Sequence, residues 1–240
     1  MIDLILEKLK SNGSFKSHEF YPIVVIDDFL PEDLVKGLEE ECLAIPELYW
    51  TTFTRRGSHM KECNKLSLAP RANDLVNMLH DKKVLEHIET LLGIDGIRTD
   101  SHLIGAGYSR SFQGDSLKIH TDFNYNDTLK LYRAASFIIY LNSDWQDHYG
   151  GHLEFKDSVN QNIIHKITPN FNKAVFWKHH YLGFHGYPEP LKCPAHMSRN
   201  TFRLFFYQQT APYKVDTQPH RSLYWYDEEK NLPYDIRTHK

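Results

Sequence analysis

A histidine and an aspartate two positions apart, as in His120-Thr121-Asp122, project from the same face of an extended strand and can chelate one metal ion. With 15 histidines and 17 aspartates in 240 residues, about one such triplet is expected by chance. The chain holds one, so the pair needs a third ligand before it carries chemistry. His185 is the candidate, in the run LGFHGYPEP, near the end of another β-like stretch and ahead of a Gly-Tyr-Pro turn. Two imidazoles and one carboxylate form the facial set that holds Fe(II) and leaves three coordination positions open. Two of those positions can take a bidentate 2-oxo acid and the last can take dioxygen, whereas a closed four-ligand set would be structural. His152, His179, His180 and His196 compete with His185 for the third place. His152 and Glu154 repeat the two-residue spacing, but a solvent-facing strand position after Gly150 and Gly151 accounts for them as well.

Elements of two kinds must position these residues. Met1 to Lys10 spaces Ile2, Leu4, Ile5 and Leu9 as a short helix, broken by Asn12 and Gly13. A β-branched strand follows from Ile23, stops at Asp27 and Asp28, and gives way to a helix announced by Pro31 and Glu32, with Leu34, Leu38 and Cys42 toward the core. Asp74 to Leu92 is again helical, interrupted near Asp81 to Lys83 and stopped at Gly93. After Gly96 the texture changes to SHLIGAGY, DSLKIHTDF, RAASFIIYLN, GGHLEF, NIIHKI, KAVFWK, YLGFH and NTFRLFFYQQ. These are short β-branched or aromatic stretches between turn residues, the signature of an antiparallel sandwich or barrel. The expected fold is mainly β with helical additions (α+β). One domain spans residues 1–240: helix-rich support to residue 95, a β core over 96–210, and a tail over 211–240 that lies across the barrel. The stretch Trp50 to Lys65 has little periodicity and contains Arg55, Arg56 and Gly57, so it reads as a long mobile loop.

Composition narrows the function classes. The chain is 41% hydrophobic and 25% charged, as expected of a globular protein. Its net charge of −3 gives no overall field to hold a polyanion, which disfavours a nucleic-acid partner. Apolar runs such as Ile23 to Ile26 and Phe137 to Leu141 are too short to span a bilayer, so no membrane partner is expected. MIDLILEKLK carries Asp3 and Glu7 and lacks the features of a secretory signal, so the expectation is a cytoplasmic protein. Cys42, Cys63 and Cys193 are scattered, and they read as reduced thiols rather than a disulfide framework or zinc knuckle.

The ordered series HTDFN, LYRAASFIIYLNSDW, GGHLEF, PNFNKAVFWK, FHGYPEPLKCP and SRNTFRLFFY resembles the 2-oxoglutarate and Fe(II)-dependent oxygenases of the prolyl 4-hydroxylase-like type, over about residues 96–210. The resemblance implies a double-stranded β-helix, the jelly-roll form of antiparallel barrel. It implies His120, Asp122 and His185 as iron ligands. Arg199, opening the last long strand, would bind the distal carboxylate of 2-oxoglutarate, where a guanidinium fork fits. Tyr140 would hydrogen-bond the same carboxylate. Arg133 stands where related enzymes face the substrate, although a rim salt bridge explains it equally. Arg203 shares the strand parity of Arg199 and would pair with an internal carboxylate or with an acidic group of the substrate.

The implied reaction couples oxidative decarboxylation of 2-oxoglutarate, with Fe(II) and O2, to hydroxylation of an unactivated C–H, giving succinate and CO2, with ascorbate as an accessory reductant. The substrate would be a small molecule or a peptidyl residue, prolyl included. A carboxylate ligand at Asp122 leaves no vacancy for chloride, which favours hydroxylation over halogenation and leaves desaturation or ring formation as alternative outcomes. In this family loops like 50–65 cover the mouth, so that stretch would be a substrate lid, and Lys61 and Arg71 would suit an acidic substrate. Two other readings use the same residues: a hydrolase or isomerase holding Zn(II) or Mn(II), and a jelly-roll binding module with Trp145, Trp177 and Tyr181 along a groove. The aromatic tail could also pack against a second subunit.

Overall fold

The structure, a computed structural model, describes residues 1–11, 14–17, 22–157, 162–227 and 232–233. Asn12 and Gly13, read as a helix break, lie outside them. The N-terminal part holds α1 (Ile2–Ser11), β1 (Ser14–Ser17), β2 (Pro22–Ile26), α2 (Glu32–Ala44), β3 (Thr51–Arg55), β4 (Ser58–Cys63), α3 (Pro70–Leu79) and α4 (Lys82–Leu92). The core strands are β5 (Gly107–Ser111), β6 (Leu117–Thr121), β7 (Tyr125–Asn126), β8 (Leu131–Tyr140), β9 (Leu153–Lys156), β10 (Ile163–Ile167), β11 (Ala174–Lys178), β12 (Phe184–Tyr187) and β13 (Arg199–Gln208). The tail adds β14 (Leu223–Tyr224) and a short pair, β15 (Tyr226–Asp227) with β16 (Leu232–Pro233).

Among the described residues two antiparallel sheets face each other. The larger runs β1-β2-β11-β8-β13-β5-β4-β3, with β7 beside β8, and the smaller runs β10-β9-β12-β6-β14. Non-consecutive neighbours such as β8 and β13 mark the crossovers of a double-stranded β-helix, and the expected jelly roll is present.

Period-two alternation decides which side chains meet. Along β8, Phe137 and Ile139 point to the helical side while Ile138 and Tyr140 point between the sheets, and β11 divides Phe176 from Val175 and Trp177 in the same way. Phe29, in the turn before α2, closes the helical side against Phe137 and Phe176 with ring centroids at 5.9 and 5.7 Å. Leu34, Leu38 and Cys42 are buried there, as their spacing predicts. The break within the second helical stretch is a true boundary. The Asp81 side chain accepts from Lys83 N at 2.9 Å to cap α4, and Gly93 ends it in the left-handed region at φ 59°. Glu41 of α2 caps α3 from outside, accepting from the backbone N–H groups of Arg71 and Ala72 at 2.7 and 3.1 Å.

The reading of 50–65 as a mobile loop is corrected. The stretch is a hairpin whose second strand pairs with β5 and extends the larger sheet. Its turn residues Arg56 and Gly57 both have positive φ (51° and 74°), as a two-residue hairpin of primed type requires. Strand β3 alternates weakly because it is an edge strand, which is why periodicity missed it. No helix among the described residues is long and apolar enough to cross a membrane.

Candidate metal centre

His120 on β6 and His185 on β12 are direct cross-strand partners, with ring centroids 4.9 Å apart. Asp122 lies just past the end of β6, and its carboxylate reaches both rings: Oδ1 is 3.6 Å from His120 Nε2 and Oδ2 is 3.5 Å from His185 Nε2. The three ligand atoms fall within 4.8 Å of one another and could hold a metal ion. Each imidazole gives its other nitrogen to a backbone carbonyl two residues earlier, Lys118 O for His120 and Gly183 O for His185, both at 2.8 Å. When each Nδ1–H donates there, the Nε2 lone pairs face the shared space.

The electrostatics agree with that geometry. Burial pushes the His185 imidazole down to about 4, so it is neutral at ordinary pH. Burial alone would raise Asp122, but the Arg133 guanidinium and the two histidines outweigh it and hold the carboxyl well below its usual range. Arg133 is almost completely buried on β8, with Nη2 3.0 Å from Asp122 Oδ2 and 2.9 Å from Ser136 Oγ, and its fork lies 3.4 Å over the Phe205 ring. With one carboxylate oxygen engaged by Arg133, Oδ1 is left for a metal.

Arg199 opens β13 and enters the same cavity from the opposite sheet. Its guanidinium lies over the Tyr187 and Tyr140 rings, 4.4 and 5.0 Å from their centroids, and Nε donates to Gly151 O at 2.9 Å. Arg199 Nη2 and Tyr140 Oη are both buried and lack a hydrogen-bond partner. Two orphaned donors side by side, one of them cationic, fit a carboxylate brought by a ligand. Gly151, at φ 73°, makes room for this arrangement, since a Cβ there would stand 2.8 Å from Arg199 Cδ.

Arg203, four residues on, is not at the Arg199 position but nearer the hairpin, where Nη2 meets Glu62 Oε1 of β4 at 2.6 Å. The competing histidines go elsewhere. His152 pairs with Asp147 at 2.9 Å, His179 faces Asp216 at 3.4 Å, His180 packs against Tyr213, and His196 is exposed. Glu154 sits between Lys156 and Lys166, each at 3.9 Å.

Several site residues escaped the sequence reading. Tyr187 shares parity with His185, a signal that could have found it, and Gly151 belongs to the Gly-Gly pair already noted ahead of His152. Tyr224 could not be found, because only the pairing of β14 with β6 brings its ring to 5.4 Å over His120.

Residues 106–207 match the family described as the 2OG-Fe(II) oxygenase superfamily. Among solved structures, a prolyl-4-hydroxylase from Pseudomonas putida superposes with a TM-score of 0.57 at 18% identity, covering 87% of this chain and 99% of the other. A prolyl hydroxylase from Trichoplax adhaerens, solved with a hypoxia inducible factor peptide fragment, gives 0.58 at 16% identity over 86% and 88%. HygX from Streptomyces hygroscopicus, solved with nickel, 2-oxoglutarate and hygromycin B, gives 0.52 at 10% identity over 88% and 95%. No curated protein matches the chain.

Proposed function

We propose that the chain, which shares its fold with the prolyl 4-hydroxylases, is a 2OG-Fe(II) oxygenase in which His120, Asp122 and His185 hold the iron while Arg199 and Tyr140 hold 2-oxoglutarate. Members of this superfamily use Fe(II), 2-oxoglutarate and O2, which sets the family match against the hydrolase and binding-module readings. The observation that carries the assignment is one cavity lined by a facial two-histidine, one-carboxylate set and by Arg199, whose Nη2 is left unpaired, as is the hydroxyl of Tyr140, the ring beside the Arg199 guanidinium.

Bound Fe(II) with 2-oxoglutarate and O2 supplies an oxidant able to break a C–H bond, the 2-oxo acid leaving as succinate and CO2 and one oxygen atom entering the product as hydroxyl. The chain supplies position and exclusion of water. The Lys118 and Gly183 carbonyls fix both imidazoles, Arg133 fixes the carboxylate, and Arg199 with Tyr140 orients the 2-oxo acid by its far end. Asp122 is the residue whose presence selects hydroxylation over halogenation. The substrate is a small molecule or a peptidyl residue, prolyl among the candidates.

Metal stoichiometry tests this. Wild-type protein loaded anaerobically binds one Fe(II) or Mn(II) per chain, and His185→Ala or Asp122→Ala loses it. Arg199→Ala keeps the metal and needs far more 2-oxoglutarate for succinate formation. Full turnover in Asp122→Ala contradicts the assignment.

A further inference from the structure

Two cationic donors in the cavity are left over: Arg203 serves neither the metal set nor the Arg199 cradle, and Arg133 spends only part of its fork on Asp122. Arg133 is engaged through Nη2 and Nε, yet its Nη1 is buried without a partner. Arg203 gives Nη2 to Glu62, yet its Nε is buried without one. Both residues line the cavity whose other walls carry His120, Asp122 and His185. Buried guanidinium donors left unpaired are costly, so a ligand that satisfies them gains from both directions.

The charges point the same way. Three arginines (133, 199 and 203) stand against two carboxylates, Asp122 and Glu62. Bound Fe(II) and the 2-oxoglutarate dianion cancel each other, which leaves one positive charge unbalanced. Met60 and Phe205 line the same cavity and offer an apolar wall. We propose that the substrate is a small carboxylic acid, its carboxylate gripped by Arg203 Nε and Arg133 Nη1, with Glu62 competing for the Arg203 fork and so setting the strength of the grip. This rests on the oxygenase assignment above and names its substrate class.

The test uses the full chain loaded anaerobically with Fe(II) and 2-oxoglutarate, whose visible charge-transfer band shifts when a molecule binds beside the metal. The probes are amino, hydroxy and aliphatic carboxylic acids, each beside its primary amide, together with capped aspartyl and glutamyl dipeptides. At least one acid is expected to bind roughly tenfold or more tightly than its amide. Arg203→Gln is expected to collapse that ratio, and Glu62→Gln to increase acid affinity, because it frees the fork. A merely structural ion pair would make both variants lose affinity. Binding by free acids supports the small-molecule form of the proposal, and binding by dipeptides alone moves the carboxylate to a peptide side chain and overturns it.

Acids and amides binding alike, no acid binding, or a preference that survives Arg203→Gln overturns the proposal while leaving the oxygenase assignment intact. If Arg203→Gln does not fold, Glu62→Gln decides alone: unchanged or weaker acid binding overturns the proposal. Failure of the band to form with 2-oxoglutarate alone is a different result, and it removes the assignment on which the proposal rests.

Discussion

Asp122 shows how much one residue's neighbours decide. A carboxylate beside two imidazoles is a chelator only if it stays ionised and aimed, and Arg133 does both from a fully buried position on β8. Arg133→Gln leaves Asp122 without its cation. Breaking a buried pair in this way costs about 3–5 kcal/mol of stability, and losing the partner that orients a ligand lowers metal affinity about 10- to 100-fold; chemical denaturation and an Fe(II) or Mn(II) titration measure the two separately. Gly151 is the quieter case. Gly151→Ala pushes on Arg199 Cδ and Nε from a left-handed backbone position. The expected result is a several-fold higher requirement for 2-oxoglutarate with metal affinity unchanged, read from succinate formation against cosubstrate concentration. The His120–Asp122 pair was legible because its spacing is strand spacing, whereas His185 was singled out from four competing histidines only by the resemblance to the oxygenase family. Arg133's partner was not, because a cation eleven positions past Asp122 reaches it only across the fold.

Among the elements, the tail strand β14 departs furthest from what local sequence can tell. It joins the edge of the smaller sheet with Tyr224 opposite His120, so a segment outside the matched region walls the metal centre. The tail is pinned by Asp216, which meets His220 at 2.9 Å, His179 at 3.4 Å and Asn124 Nδ2 at 3.1 Å. Burial would raise Asp216, but hydrogen bonds from His179 and His220 bring it to about 2, so its stabilising share is lost only in strong acid as pH falls through that value. Burial would lower His220, yet the Asp216 contact and the Arg221 carbonyl raise it above its ordinary value. Its contribution is therefore complete below about pH 6.5 and fades as pH rises through the raised folded value. His179 is depressed, chiefly by burial, so its share has the opposite sign and fades as pH falls below about 6.5. Hydrogen-exchange protection over residues 211–225, taken relative to the base-catalysed intrinsic rate, should be greatest near neutrality and fall toward alkaline pH, and His220→Gln should flatten the alkaline limb. An alkaline limb unchanged in that variant would show that other contacts hold the tail. The hairpin at 51–63 was also misread, since an edge strand of threonines and charges carries little of the alternation that marks β8.

On the scale of the molecule, the order of strands that the sequence suggested is the order that folds into two facing sheets, because each core strand sorts its side chains by period two between the helical side and the cavity. The alternation along β8 and the caps of α4 were readable locally. The crossovers that place β12 against β6, and β13 between β8 and β5, are long-range pairings that no window of sequence displays. Since the metal set joins two ends of β strands distant in the chain, its occupation should stabilise the whole fold. With metal at about a hundredfold over its Kd the gain is about 2.7 kcal/mol, a rise in Tm of about 5–10 °C for a chain of this size; His185→Ala should show no rise. The central claim, that one cavity holds Fe(II) on His120, Asp122 and His185 and a 2-oxo acid on Arg199 and Tyr140, is tested most directly by anaerobic visible absorption of the metal-free protein titrated with Fe(II) and 2-oxoglutarate. The account predicts a charge-transfer band in the wild type, no band in His185→Ala, and a band that needs far more 2-oxoglutarate in Arg199→Ala. Metal binding without any such band in the wild type would contradict it.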